Sequence, residues 1–211
     1  MRRVLPVIAG LAAQVSISIS IDTMKPGVAR AALAAGASII NDVAANREET
    51  AMWEIAAASG AGYVCMHMKG SPQTMHQNPE YEDVAREVRE FFAERIERLR
   101  RCGVHLEQVI LDPGIGFGKT VEHNLELLGS LEAFAAGGRP VLLGVSRKSF
   151  IGKLLGADLG GRIPAGLACA CLAVQKGAGL IRTHDVSETV QAVRMAEAIL
   201  GRSRVDGSEL K

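Results

Sequence analysis

Aromatic side chains are scarce: one Trp, two Tyr and five Phe in 211 residues. The core must therefore be packed by aliphatic residues, and a hydrophobic share of 48% supplies them. Neither sign of charge predominates, since 24 Lys and Arg stand against 23 Asp and Glu. That balance gives no electrostatic basis for binding nucleic acid or a membrane surface. The four cysteines (Cys65, Cys102, Cys169 and Cys171) contain no Cys-x-x-Cys, and no His pair stands beside them at metal-ligand spacing. Reduced, mostly buried thiols are the expectation, which suits the cytoplasm. No apolar stretch reaches transmembrane length free of charges or turn residues. A Gly-x-Ser-x-Gly elbow is absent, so no serine nucleophile is assigned. His67, His76, His105 and His123 fit no triad spacing. Gly114, Gly116 and Gly118 give Gly-x-Gly-x-Gly, which lacks the third position of a dinucleotide fingerprint.

What is present is a regular alternation of strand-like and helix-like segments. Strands are predicted over Val15–Ile21, Ser38–Asn41, Gly62–Met66, Gln108–Leu111, Val141–Gly144 and Gly179–Arg182. Helices are predicted over about 1–13, 25–35, 47–58, 80–102, 121–128, 149–155, 161–176 and 185–200. Residues 67–79 read as a polar loop, and about 201–211 as a frayed tail of a single domain. Met1-Arg2-Arg3 before Val4–Ala13 resembles a short signal peptide; the competing reading is an amphipathic helix with Val4, Leu5, Ile8 and Leu11 on one stripe. Six strands, each followed by a helix, imply parallel pairing with right-handed crossovers. A doubly wound sheet accepts six strands, whereas a (β/α)8 barrel needs two more.

Polar groups recur where the apolar runs stop. Asp22, Asn41, Asp42 and Asp112 each end a strand. Taken singly, each has a local explanation as a cap or an Asx-turn. Together they set acids and amides on one lip, where they can hydrogen-bond a heterocycle rich in N–H donors. The run Leu111 to Lys119 joins a strand end to three glycines, whose backbone can lie close to a ligand. Ser146, Arg147, Lys148 and Ser149 follow the next strand and open a helix, an arrangement suited to an anion. Arg182 and His184 follow the last strand, on one side by alternation. Phosphate sites commonly lie at the last two strand ends of barrels. Lys119 reads equally well as a ligand contact or a solvated loop residue.

These stretches resemble dihydropteroate synthase of folate biosynthesis. The resemblance rests on Ser-Ile-Asp-Thr at 20–23, Ile-Asn-Asp at 40–42, Met-His-Met-Lys-Gly-Ser-Pro-Gln-Thr-Met at 66–75, Asp-Pro-Gly-Ile-Gly-Phe-Gly-Lys at 112–119, Ser-Arg-Lys-Ser at 146–149 and Arg-Thr-His-Asp-Val at 182–186. They stand in the family's order. The resemblance implies a (β/α)8 barrel of the TIM type, incomplete here at about six β/α units with the first two strands absent. It implies a transferase that joins 6-hydroxymethyl-7,8-dihydropterin pyrophosphate to 4-aminobenzoate with Mg²⁺. By match, Asp22, Asn41, Met66, Asp112 and Lys148 would hold the pterin. Asn41, Arg182 and His184 would hold the pyrophosphate. Phe117, Lys148 and Ser149 would border the aminobenzoate. Asp112, Lys148, Arg182 and His184 would carry the chemistry. The metal ligands stay unassigned, because the family's Asn ligand lies ahead of the matching region. Six strands do not close an eight-stranded barrel, so the expectation is a truncated chain, a fragment, or a chain completed by a second copy in a homodimer. The alternatives are an inactive fragment or non-catalytic pterin-binding paralogue, and a pterin-dependent methyltransferase domain.

Overall fold

The structure, a computed structural model, describes residues 1–45, 48–71, 73–75 and 79–202. Six short parallel strands run in chain order: β1 (Ser20–Asp22), β2 (Ile39–Asp42), β3 (Gly62–Met66), β4 (Val109–Asp112), β5 (Leu142–Gly144) and β6 (Leu180–Arg182). β1 to β4 form one sheet and β5 with β6 another. A parallel bridge between Leu111 and Val141 joins the two, and the Leu111 N–H donates to the Pro140 carbonyl at 2.9 Å. Helices α1 (Leu5–Ala12), α2 (Pro26–Ala34), α3 (Ala51–Ser59), α4 (Val84–Arg101), α5 (Val121–Gly129), α6 (Leu131–Ala135), α7 (Ser149–Leu155), α8 (Ile163–Gln175) and α9 (Val186–Ile199) fill the connections.

The inner strands are apolar on both faces because helices cover one side and facing strands the other. Thus β3 buries Tyr63, Val64, Cys65 and Met66, and β5 buries all three of its residues. β1 and β6 each pair with a single neighbour among the described strands and are far less buried. This explains one correction. Residues 15–19, predicted as strand, lie outside β1, and Val15 and Ile17 are exposed. With one partner strand, the alternation there has no second surface to pack on.

Helix boundaries follow local chemistry. Asp83, just before α4, accepts from the Arg86 N–H at 2.8 Å and caps the helix four residues later than its charge pattern suggests. Val84, Val88, Phe92 and Leu99 bury its apolar stripe. Pro6 sits in the first turn of α1, where a missing N–H is harmless. The predicted stripe of α1 holds at Ile8, which is buried, and fails at Leu11, which is exposed. Residues 48–50 lie outside α3; Arg47 lies outside the described residues, as do parts of the 67–79 loop and nearly all of the 201–211 tail. Short α6 has no counterpart among the predicted helices, since its five residues are too few to show a period.

One polar network crosses the core. Trp53 Nε1–H donates to Tyr63 Oη at 3.0 Å, and Tyr63 Oη–H donates to Asp42 Oδ2 at 2.9 Å. The Ala44 N–H also donates to Asp42 Oδ1, at 3.1 Å. Asp42 thus anchors the turn after β2 and the strand beside it. Tyr63→Phe leaves a buried indole N–H and a carboxylate short of a partner. A loss of about 1–3 kcal/mol in urea-denaturation stability is expected, and an unchanged midpoint would remove this network from the account.

No single helix among the described residues is long and apolar enough to cross a membrane.

Candidate active site

Parallel register places the strand-end polar residues on one lip. Asp22 stands beside Asn41, Met66 beside Asp112, and Gly144 beside Arg182. Asn41 Nδ2 donates to Asp22 Oδ2 at 3.1 Å. Arg182 Nη1 lies 3.9 Å from that same Asp22 oxygen, so side chains from the first and last strands meet across the lip. The six strands therefore curve into an arc whose two edges are bridged by an ion pair at the lip. The pair is about half exposed on both sides, so it contributes little to stability; its value is in showing that the groups converge.

Asp112 is 3% exposed at the end of β4. Burial raises its pKa, opposed by the Lys148 ammonium, the Gly114 N–H and the Arg182 guanidinium. Gly114 donates that bond to Asp112 Oδ1 at 2.8 Å, across a two-residue Asx-turn. Lys148 reaches back over the glycine loop. Its ammonium donates to the Ile115 carbonyl and lies 4.6 Å from the centre of the Phe117 ring. Burial lowers its pKa to about 8, with Asp112 pulling the other way. Asp112, Lys148, Phe117, Arg182, Asp22 and Asn41 thus form one connected group.

Met66 is fully buried in a small cluster with Ala44 and Met68, against which Phe117 packs. This puts Met66 beneath the floor of the lip. Asn41 is 4% exposed, and its Oδ1 meets no hydrogen-bond donor among the described residues. His184 Nδ1 lies 3.0 Å from Ser146 Oγ, and the His184 N–H donates to the same oxygen at 3.2 Å. The turns after β5 and β6 are thereby tied together. Ser149 is exposed as the first residue of α7.

Two expectations change. Arg147 is no free anion ligand: its guanidinium grips the Asp185 carboxylate, with Nε donating to Oδ2 at 3.2 Å and Nη2 to Oδ1. It is also the one non-glycine residue with a positive φ among the described residues, at 58°. The glycines, in turn, make room for protein rather than for a ligand alone. A Cβ on Gly114 would fall 1.8 Å from the His67 carbonyl oxygen, and one on Gly118 would fall 2.5 Å from that of Lys69. The loop lies flat on the segment after β3.

The sequence leaves Lys119 open between a ligand contact and a solvated loop residue and gives His67 no role; the structure buries both. Lys119 is only 9% exposed, and its Nζ sits 3.0 Å from His67 Nδ1. The one local signal was a lysine placed directly after three glycines.

Comparison with known proteins agrees with this geometry. The pattern of the family described as "Pterin binding enzyme" matches residues 1–184. Dihydropteroate synthase of Escherichia coli strain K12 is 45% identical over 200 residues, covering 95% of this chain and 71% of the relative. Yersinia pestis dihydropteroate synthase, solved with a sulfonamide drug complex, superposes with a TM-score of 0.91 at 40% identity, over 95% of this chain and 73% of that one. The Xanthomonas albilineans enzyme, solved with 7,8-dihydropteroate, gives a TM-score of 0.87 at 42% identity, over 94% and 73%. An arc of parallel strands with its polar residues gathered at one lip, and this degree of likeness along nearly its whole length, make the chain a member of the pterin-binding enzyme family, among the dihydropteroate synthases.

Proposed function

We propose that the lip formed by Asp22, Asn41, Asp112, Lys148, Arg182 and His184 binds 6-hydroxymethyl-7,8-dihydropterin pyrophosphate and joins it to 4-aminobenzoate, giving 7,8-dihydropteroate and pyrophosphate. The observation that carries the assignment of roles is the joining of Asp22 on the first strand to Arg182 on the last, beside a buried Asp112 flanked by Lys148. Acceptors and cations alternate around this lip, with Arg182 beside Asp22 and Lys148 beside Asp112. A pterin presents N–H donors to the acceptors, and a diphosphate presents anionic oxygens to the cations. The buried Asn41 Oδ1 supports a pterin here, because a ring N–H or amino group would satisfy it.

In the reaction, the C–O bond between the pterin methylene and the diphosphate breaks and its electron pair leaves with the diphosphate. Arg182, His184 and Lys148 stabilise that departing charge. Asp112 offsets the positive charge growing on the ring. The aminobenzoate nitrogen donates its lone pair to the methylene carbon and then loses a proton, so no covalent enzyme intermediate forms. Phe117 and the stem of Lys148 supply a flat wall and an apolar edge for the aminobenzoate ring, with Ser149 at the border. Mg²⁺ is the cofactor implied by the resemblance. Among the described residues no group of three His, Cys, Asp or Glu is placed to hold a metal ion. These side chains do not by themselves build a metal site.

The test is release of pyrophosphate on mixing the purified chain with both substrates. Stoichiometric turnover and a dihydropteroate product are expected. Tight binding of the pterin diphosphate with no product would select the non-catalytic reading instead.

The partners proposed are therefore the two small molecules, and the compartment is the cytoplasm, in keeping with four free cysteines. A second copy of the chain is the protein partner we propose. β1 and β6 are edges among the described strands, and α9 exposes Val186, Val190, Met195 and Ile199.

A further inference from the structure

The glycine loop is held from below by a device that the proposed chemistry does not use. Lys119 leaves the end of the loop and turns back under it. Its Nζ lies 3.0 Å from the Gly114 carbonyl, 3.0 Å from the Phe117 carbonyl and 3.0 Å from His67 Nδ1. An ammonium has three N–H donors, and here three acceptors stand at one distance. Two of those acceptors are loop carbonyls and the third is the ring of His67, the residue directly after β3. Gly114 and Gly118 lie against the carbonyls of His67 and Lys69, so the loop has no room to shift downward. The His67 ring is itself fixed, edge-on to Phe91 with centroids 4.9 Å apart. Tyr81 adds a further tie, its Oη–H donating to the Gly118 carbonyl at 2.8 Å. On its upper side the same loop carries Phe117 and the Ile115 carbonyl, the two groups that hold Lys148.

We propose that Lys119 and His67 form a proton-sharing clasp that fixes the glycine loop and so positions Phe117 and Lys148 in the site. Lys119 is a positioning residue: it acts through the loop. The inference that the loop is clasped stands on the geometry alone; its effect on the ligand rests on the proposed function above. The groups facing Lys119 are Asp112 at the end of β4, Lys148 at the start of α7, and Lys69 and His67 after β3. Burial lowers the Lys119 pKa to about 7, and burial holds His67 well below the usual histidine range. His67 is thus neutral, and its tautomer follows Lys119. While Lys119 is charged, Nδ1 must accept. When the pair loses a proton, Lys119 passes one to Nδ1 and Nε2 gives up its own, so the ring stays neutral; the two remaining Lys119 N–H groups serve the Gly114 and Phe117 carbonyls, and its lone pair accepts from Nδ1–H. The clasp keeps all its bonds while its charge changes by one beside Asp112.

The test uses the full chain with Lys119→Met, Lys119→Arg and His67→Phe. Amide exchange over residues 114–118 is expected to rise about tenfold in Lys119→Met and to be partly restored in Lys119→Arg. Nitrogen NMR of His67 in the unsubstituted chain should show Nδ1 changing from acceptor to donor with a midpoint near pH 7, while the ring stays neutral. Lys119→Arg should abolish that change, which a merely structural lysine would not produce. Unchanged loop exchange in a folded Lys119→Met, or one His67 tautomer throughout the titration, overturns the clasp. Should Lys119→Met fail to fold, His67→Phe decides by the same exchange measurement, since it keeps the ring packing and removes Nδ1. The link to the site is read separately: a loosened loop that binds the pterin diphosphate as tightly as before overturns the positioning role. If the unsubstituted chain binds no pterin diphosphate, the proposed function fails while loop exchange still judges the clasp.

Discussion

Lys148→Ala is expected to weaken binding of the pterin diphosphate by about 100-fold, the cost of removing a charge-assisted contact inside a partly desolvated site. Three losses combine. The ammonium no longer meets the diphosphate ester, the Ile115 carbonyl loses its donor, and Asp112 loses its foremost compensating cation. Without that cation Asp112 is harder to ionise, so the acid side of the pH–activity profile moves to higher pH. The unsubstituted chain has a matching alkaline limit. In the free site the Lys148 pKa is lowered to about 8. An anion bound beside it favours the charged form and raises that value. Above pH 8 the free lysine is largely neutral and the bound one protonated, so binding takes up protons and affinity falls as pH rises. Calorimetry in buffers of different ionisation enthalpy measures this directly. Proton release on binding near pH 8.5, or none, would contradict the placement of Lys148 at the anion.

Gly114→Ala is expected to be the most damaging small substitution in the molecule. The added carbon would lie 1.8 Å from the His67 carbonyl oxygen and 3.0 Å from its carbon, both backbone atoms with little freedom to retreat. The position also has φ of 68°, which costs a residue with a Cβ about 1 kcal/mol before any clash. Relief requires the loop to lift off the segment after β3. That breaks the Gly114 N–H to Asp112 bond and the Lys119 contact to the Gly114 carbonyl together. A stability loss of about 3 kcal/mol or more is expected, with loss of pterin binding. Gly129→Ala is the control. A Cβ there meets nothing within 4 Å, and a helical residue with a side chain has the better helix propensity. Equal melting temperatures for the two variants would show that the loop is not seated as described.

The site was legible where strand periodicity ends in a polar residue. Asp22, Asn41 and Asp112 could be set on one lip from the β/α alternation alone, because parallel strands share a direction and their ends share a face. Arg182 could be set opposite them for the same reason. What stayed hidden depends on contacts between distant positions. Lys119 and His67 are 52 residues apart, and Arg147 and Asp185 are 38 apart. Nothing in the local pattern of a lysine or arginine says whether it will find an acceptor at that range. The glycines misled for a related reason. Their need for space was plain, but whether a ligand or a carbonyl fills it depends on which backbone lies beneath. Strand lengths at the edges were also illegible, since pairing on one side only shortens β1 without altering its sequence.

The central claim is that groups from five separate strand ends act on one bound pterin diphosphate. Calorimetric titration of that ligand into the unsubstituted chain, Asp112→Asn, Lys148→Ala and Arg182→Ala tests it most directly. The account expects one-to-one binding in the first and affinity lower by at least about tenfold in each of the others, with the folds intact. Equal affinity across all four proteins would contradict it.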